Sequence, residues 1–301
     1  EKELGFSGKP DIEKYGVEPF NSKCRESVTR HVDAFSELTE RMGYWVNMDE
    51  AYWTMSPSYV ESVWWGLKRI WDKGLLGEDH RVAPYCPRCG TGLSSHEVAQ
   101  GYEDVEDPSL FFLCPWLTPD GAPDPEGRHF MAWTTTPWTV PANTALAVHP
   151  EIEYVAVRDG GRTLVLAELR REAVFGADTE VIARWRGTEL VGTRYQRPLD
   201  LVSVPSDHGK GWTVVAEEFV SAGDGTGLVH IAPAYGADDY ASGKRHGLPL
   251  LSPVDDAGRF PAAISRIGGM FVKDADPVLV EVLRERGLLF QIGSVVHSYP
   301  H

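Results

Sequence analysis

The chain reads as α+β: a helical first part, then a β-rich body that closes into a barrel or strongly curved sheet with peripheral helices. Three observations predict this. Before residue 80, apolar residues recur at the three-to-four spacing of amphipathic helices. After residue 104, short apolar and alternating runs are separated by turn signals such as Asp159-Gly160-Gly161 and Asp224-Gly225. Many short strands at modest spacing favour a barrel-like form. Between the two parts lies a Cys-x-x-Cys pair, Cys86 and Cys89. The expected organisation is a helical segment over 1–80, a zinc-ribbon-like half module over 81–103, the β-rich body over 104–291 and a return strand over 292–301.

Each element has its own grounds. Val28, Val32, Phe35 and Leu38 put one apolar stripe on a helix from Cys24 to Arg41. Ser56 caps a second helix with Pro57 in its first turn, and Gly74 ends it. Its apolar side carries Tyr59, Val60, Val63, Trp64, Leu67 and Ile70. The aromatic density here fits core packing or an exposed docking face equally well. Strands are expected at Phe111–Leu113, His129–Thr134, Tyr154–Val157, Thr163–Ala167, Thr179–Trp185, Leu199–Val204, Thr213–Ala216 and Leu228–Ala232. Helices interrupt them near Glu168–Phe175, near Ala237–His246 and over Pro277–Arg286. Asp276 is the expected N-cap of the last, and Gly287 lies beyond its end. The Pro/Gly-rich stretch Pro119–Gly127 reads as a surface loop.

Bulk properties narrow the function classes. With 301 residues, 42% of them hydrophobic, the chain can bury a large core and is long enough for two domains. No run of about 18 apolar residues offers a membrane span. Glu1-Lys2-Glu3-Leu4 is not a signal peptide. Neither end has the character of a natural terminus, so the chain is read as a fragment. The formal charge of −15 argues against a stand-alone nucleic-acid binder. Four cysteines (Cys24, Cys86, Cys89, Cys114) make no disulfide framework in a chain this long, and a cytoplasmic, reducing setting fits them.

Two segments carry the chemistry. Residues 133–139 read Trp-Thr-Thr-Thr-Pro-Trp-Thr. Pro137 ends the preceding strand, Thr136 caps a short helical turn, and Thr134 and Thr135 point to opposite faces. Hydroxyls both donate and accept, so this cluster can hold an amine, an ester oxygen or a water. Residues 225–239 read Gly-Thr-Gly-Leu-Val-His-Ile-Ala-Pro-Ala-Tyr-Gly-Ala-Asp-Asp. Taken singly, His230 is most simply a core histidine, and Asp238 and Asp239 ordinary first-turn residues of a helix. Together the two segments can build one small polar pocket with apolar walls.

Trp133 to Asn143 resembles the threonine-rich signature of the editing domain of isoleucyl-tRNA synthetases, and Gly225 to Asp239 resembles that domain's second signature. Further matches include Glu3-Leu4-Gly5, Phe20-Asn21, Cys24-Arg25, Tyr85-Cys86-Pro87-Arg88-Cys89, Leu248–Leu251 and His297–His301. Valyl and leucyl relatives place Thr-Arg-Pro where Thr135, Thr136 and Pro137 stand, which favours the isoleucyl branch. The His-Ile-Gly-His and Lys-Met-Ser-Lys-Ser types of motif used for ATP do not occur in this sequence.

The resemblance implies an editing hydrolase. Isoleucine and valine differ by one methylene, about 1–3 kcal/mol in a pocket, a limit for which these enzymes are the established example. A second site must hydrolyse the smaller product. By resemblance, Asp239 holds the α-ammonium of misattached valine; Thr134, Thr135, Thr136 and Thr139 position the ester and the attacking water. Trp133 and His230 are walls that admit valine and block isoleucine, and Asn143 orients the terminal adenosine. His230 is read as wall more than base. The implied substrates are valyl-tRNA(Ile) and valyl-adenylate; a non-catalytic tRNA-positioning insert is the rival reading. Editing itself needs no cofactor. Zinc is expected in the parent enzyme through Cys86 and Cys89 with ligands beyond the fragment, His96 and His301 being weak substitutes. The implied partners are the acceptor end of tRNA(Ile) and the remainder of a monomeric synthetase.

Overall fold

The computed structural model describes residues 2–204 and 210–300. The chain divides into two compact units, residues 1–80 and 81–301.

The first unit is helical, with α-helices Lys9–Tyr15, Val17–Thr29, Val32–Arg41 and Pro57–Asp72. The expected helix Cys24–Arg41 is two: Val17–Thr29 stops at Arg30, and Val32–Arg41 restarts after His31. Ser56 caps the last helix as expected, its hydroxyl accepting the Tyr59 amide at 3.3 Å. That helix buries none of its residues, and Trp64, Trp65 and Trp71 are exposed.

The second unit opens with a hairpin of β1 (Tyr85–Cys86) and β2 (Thr91–Gly92), followed by a capping-box helix Ser95–Ala99. One ten-stranded mixed sheet then forms the body. Its strands are β3 (Tyr102–Leu117), β4 (Arg128–Thr134), β5 (Ala145–Val148), β6 (Glu153–Asp159) and β7 (Arg162–Ala167), then β8 (Val181–Arg186), β9 (Arg194–Tyr195), β10 (Thr213–Ala216), β11 (Leu228–Ile231) and β12 (Leu289–Pro300). The order is β12-β3-β9-β10-β5-β11-β4-β7-β6-β8, and β3 also pairs with β4. That extra pairing turns six strands into a circuit, the barrel-like element. The sheet is nevertheless not a closed barrel, because it continues through β7 and β6 to an edge at β8, and through β3 to an edge at β12. Fold class is α+β with peripheral helices, as the sequence predicts.

Burial explains the cohesion. Phe112, Phe130, Met131, Leu146, Leu164 and Leu166 are fully buried in one core, each contributing roughly 1.5–3 kcal/mol by leaving water. Helices Glu168–Phe175 and Ala237–His246 fall where expected. Three expectations are corrected. Leu199–Val204 forms no strand: Leu199 is spent as a buried core plug, and Arg197 takes the Val202 carbonyl at 2.8 Å. The helix expected to start at Pro277 starts a turn earlier and spans Val272–Glu285, so Pro277 lies inside it. Asp276 is therefore no cap; it is buried facing the Trp138 amide, and burial lifts it to about 6. Finally, β3 runs far beyond Phe111–Leu113. It tolerates Pro108 because there it pairs with β12 alone, β4 joining only at Leu110.

Candidate functional site

Strands β4 and β11 are parallel neighbours with Trp133 opposite Val229. This places the threonine segment, which leaves the end of β4, beside His230 in the middle of β11. After Thr134 the chain turns through a short 3-10 helix, Pro137–Ala142. Thr136 is its N-cap by position, but its side chain makes no capping bond. Instead the Thr139 amide and hydroxyl both donate to the Thr136 carbonyl, at 3.0 and 2.8 Å. The hydroxyl oxygens of Thr134 and Thr136 lie 3.2 Å apart, and the Thr136 amide donates to the Thr134 hydroxyl at 3.1 Å.

Downstream of β11, helix Ala237–His246 carries Asp239 in its first turn. The Ala232 amide donates to Asp239 Oδ2 at 2.8 Å, tying the carboxylate back to the end of β11. At the other end of the helix, Arg245 and His246 reach the buried Glu217 at 2.7 and 3.0 Å. The helix is thus pinned at both ends.

The result is a cavity of about 380 Å³ lined by Trp133, Thr134, Thr135, Thr136, Thr139, His230 and Asp239. Seven of the eight residues that the resemblance assigns to the pocket therefore share one space. Asn143, expected to contact a ligand's adenosine, does not line it. It is fully buried, its amide donating to the Ala145 carbonyl at 2.9 Å and lying 3.0 Å from His230 Nδ1. Its Oδ1 accepts from the Tyr195 hydroxyl at 2.7 Å. Asn143 is spent inside the protein and reaches the cavity only through His230.

Two glycines shape the floor. A Cβ on Gly225, at φ +61°, would lie 2.8 Å from the Trp133 ring; one on Gly227, at φ +76°, would meet Ala167 at 2.4 Å. Both need left-handed backbone and no side chain. Arg170 holds the loop, donating to the Gly225 and Gly223 carbonyls at 2.9 and 2.7 Å. Phe219, Ser221, Asp224 and Tyr235 also line the cavity. None of them is assigned a role from the sequence: Asp224 shows as a turn signal and Tyr235 lies within the quoted Gly225–Asp239 segment, while Phe219 and Ser221 carry no signal.

The electrostatics separate the roles. His230 is buried, and burial pushes its pKa down to about 4. Both ring nitrogens are engaged, Nε2 with Thr139 Oγ1 at 2.9 Å and Nδ1 with Asn143. The imidazole is held neutral, with both of its nitrogens bonded inside the protein. Asp239 moves the other way: burial lifts its carboxyl to about 6, against the pull of the Ala232 amide. Among the described residues no Lys or Arg pairs with it, and a carboxylate held in a partly dry pocket is suited to receive a ligand ammonium.

Cys86 sits on β1, and the Cys89 amide donates to its sulfur at 3.3 Å, which holds the Cys86 thiol below its ordinary range. Among the described residues no group of three His, Cys, Asp or Glu side chains comes together to hold a metal. His96 is 2.8 Å from the Gln100 amide, and His301 lies outside the described residues. Two sulfurs alone do not complete a tetrahedral zinc site. No helix of the described residues is long and apolar enough to cross a membrane.

Residues 1–270 match the family model described as tRNA synthetases class I (I, L, M and V). Isoleucine--tRNA ligase of Cutibacterium acnes is 54% identical over 100% of this chain and 29% of its own length. That of Thermobifida fusca is 52% identical over 100% of this chain and 28% of its own length. The chain thus spans less than a third of these curated relatives. Among solved structures, the P. knowlesi cytosolic leucyl-tRNA synthetase editing domain is 12% identical, with a TM-score of 0.45, covering 64% of this chain and 96% of that one.

Proposed function

The chain belongs to the class I tRNA synthetases, and from that premise we propose that its cavity is the editing site of an isoleucine--tRNA ligase. There it hydrolyses valyl-tRNA(Ile) and valyl-adenylate. The observation that carries this reading is the placement of Asp239 and the threonine segment around one cavity, with a neutral His230 in its wall.

In this reading the Asp239 carboxylate pairs with the α-ammonium of the esterified valine, giving the ligand its orientation. The hydroxyls of Thr134, Thr135 and Thr136 hold the ester and direct a water at its carbonyl carbon. The ester's acyl C–O bond breaks, the water oxygen stays on the amino acid as carboxylate, and the ribose oxygen leaves as a hydroxyl with one of the water's protons while the other passes to solvent. Positioning, rather than a strong base, supplies the acceleration. Trp133 and His230 bound the side-chain end; since a methylene is worth about 1–3 kcal/mol, only a rigid wall excludes isoleucine well. Asn143 acts behind that wall.

The parent enzyme, a cytoplasmic monomer in this reading, attaches isoleucine to tRNA and supplies most of the grip on it. Zinc held through Cys86 and Cys89 takes its remaining ligands from beyond the described residues.

The test is to offer valyl-, threonyl- and alanyl-tRNA side by side to the protein. Preferential release of valine supports the reading. Faster release of another amino acid reassigns the substrate, and release of none favours a non-catalytic tRNA-positioning insert.

A further inference from the structure

The hydrogen bonds behind the cavity wall run in one direction. The Ala145 carbonyl only accepts, so the Asn143 atom 2.9 Å from it is Nδ2. Oδ1 is then turned to Tyr195, whose hydroxyl donates to it at 2.7 Å. The second Nδ2 hydrogen points at His230 Nδ1, 3.0 Å away, which must accept it. A neutral imidazole accepting at Nδ1 carries its proton on Nε2, and that proton goes to Thr139 Oγ1 at 2.9 Å. Thr139 spends its own proton on the Thr136 carbonyl at 2.8 Å. Tyr195 and Asn143 are fully buried or nearly so, at 1% and 0% exposed, and neither lines the cavity.

We infer that Asn143 and Tyr195 are a buried pair of positioning residues that fixes His230 as its Nε2–H tautomer and thereby decides which threonine hydroxyls remain for the ligand. The functional part of this rests on the editing reading above; the tautomer does not. Thr139 is committed on both sides, as acceptor from His230 and donor to Thr136. Thr136 Oγ1 lies 3.2 Å from Thr134 Oγ1 and 3.4 Å from Thr139 Oγ1, and the hydroxyls of Thr134, Thr135 and Thr136 keep donor or acceptor capacity to meet the ligand. His230, held from behind at Nδ1 and in front at Nε2, can neither swing nor take up a proton readily. Its rigidity as a wall is thus built from residues that never touch the substrate.

The experiment is nitrogen NMR of the histidine-labelled protein. Wild-type His230 is expected to show a bare Nδ1 and a protonated Nε2, and to stay neutral at about pH 6, where an ordinary histidine is largely charged. Asn143→Asp puts an acceptor-only group at Nδ1, and the proton should appear on Nδ1. Hydrolysis by that variant should then acquire a histidine ionisation limb that the wild type lacks. Tyr195→Phe, a milder change that keeps the fold, leaves Asn143 Oδ1 bare and should quicken solvent exchange of the Nε2 proton by about tenfold. A wild-type ring protonated on Nδ1, or charged at about pH 6, overturns the inference. Unchanged exchange in Tyr195→Phe removes Tyr195 from the pair. A wild type that hydrolyses no ester refutes the editing reading, while the nitrogen spectra still decide the tautomer.

Discussion

Replacing Asp239 by Asn should make the protein more stable and less active. Burial lifts the Asp239 carboxyl from 3.8 to about 6, so at neutral pH the folded state carries a charge it disfavours. At about 1.4 kcal/mol per unit of pKa, the full burden is roughly 3 kcal/mol, and partial exposure of the group reduces it to about 1–2 kcal/mol. The sign follows from linkage. Between 3.8 and 6 the folded state binds more protons than the unfolded state, so this group's contribution to stability falls as pH rises through that window. Asn keeps the bond from the Ala232 amide through its own carbonyl but carries no charge. The urea midpoint of Asp239→Asn should therefore exceed the wild type at pH 7.5, with the gain shrinking as pH falls below 6. Hydrolysis of valyl-tRNA should drop by about 10–100-fold, the worth of one charge-assisted bond. An Asn variant that is less stable at pH 7.5, or equally stabilised at all pH values, would show that Asp239 carries no buried charge that burdens the fold.

Gly225→Ala places a methyl 2.8 Å from the Trp133 ring at φ +61°. It should cost about 1–3 kcal/mol in thermal or urea unfolding and drive the indole toward the cavity, lowering kcat/KM for hydrolysis. His230→Ala removes the wall and its bond to Thr139. The preference for valyl- over isoleucyl-tRNA should narrow by about tenfold or more, read from the two deacylation rates. With a formal charge of −15 the chain should grip tRNA weakly. Raising salt from about 50 to 200 mM should therefore raise KM steeply, and a flat salt profile would contradict a phosphate-driven encounter.

What the sequence made legible was local. Glu168–Phe175 and Ala237–His246 matched because turn glycines (Gly176, Gly247) and charged ends mark their limits. The threonine segment and Asp239 stood out by side-chain chemistry, and the parallel pairing of β4 and β11 brings them together. Non-local facts were hidden. Strand β5 is buried at every position, so it shows no alternation, and β9 is two residues long. Pro277 has the look of a helix start, yet packing of the Val272–Glu285 helix against Pro137–Ala142 carries the helix back through it. The burial of Asn143 is hidden for a similar reason. Its side chain suits a ligand, and only the register of β5, with Leu146 opposite His230, shows that it faces inward.

The proposed function has this cavity separate valine from isoleucine by hydrolysis. Its most direct test is the rate at which the protein releases amino acid from valyl-tRNA(Ile) and from isoleucyl-tRNA(Ile) under identical conditions. Release of valine with isoleucine left attached is the predicted result, and release of both at the same rate would contradict it.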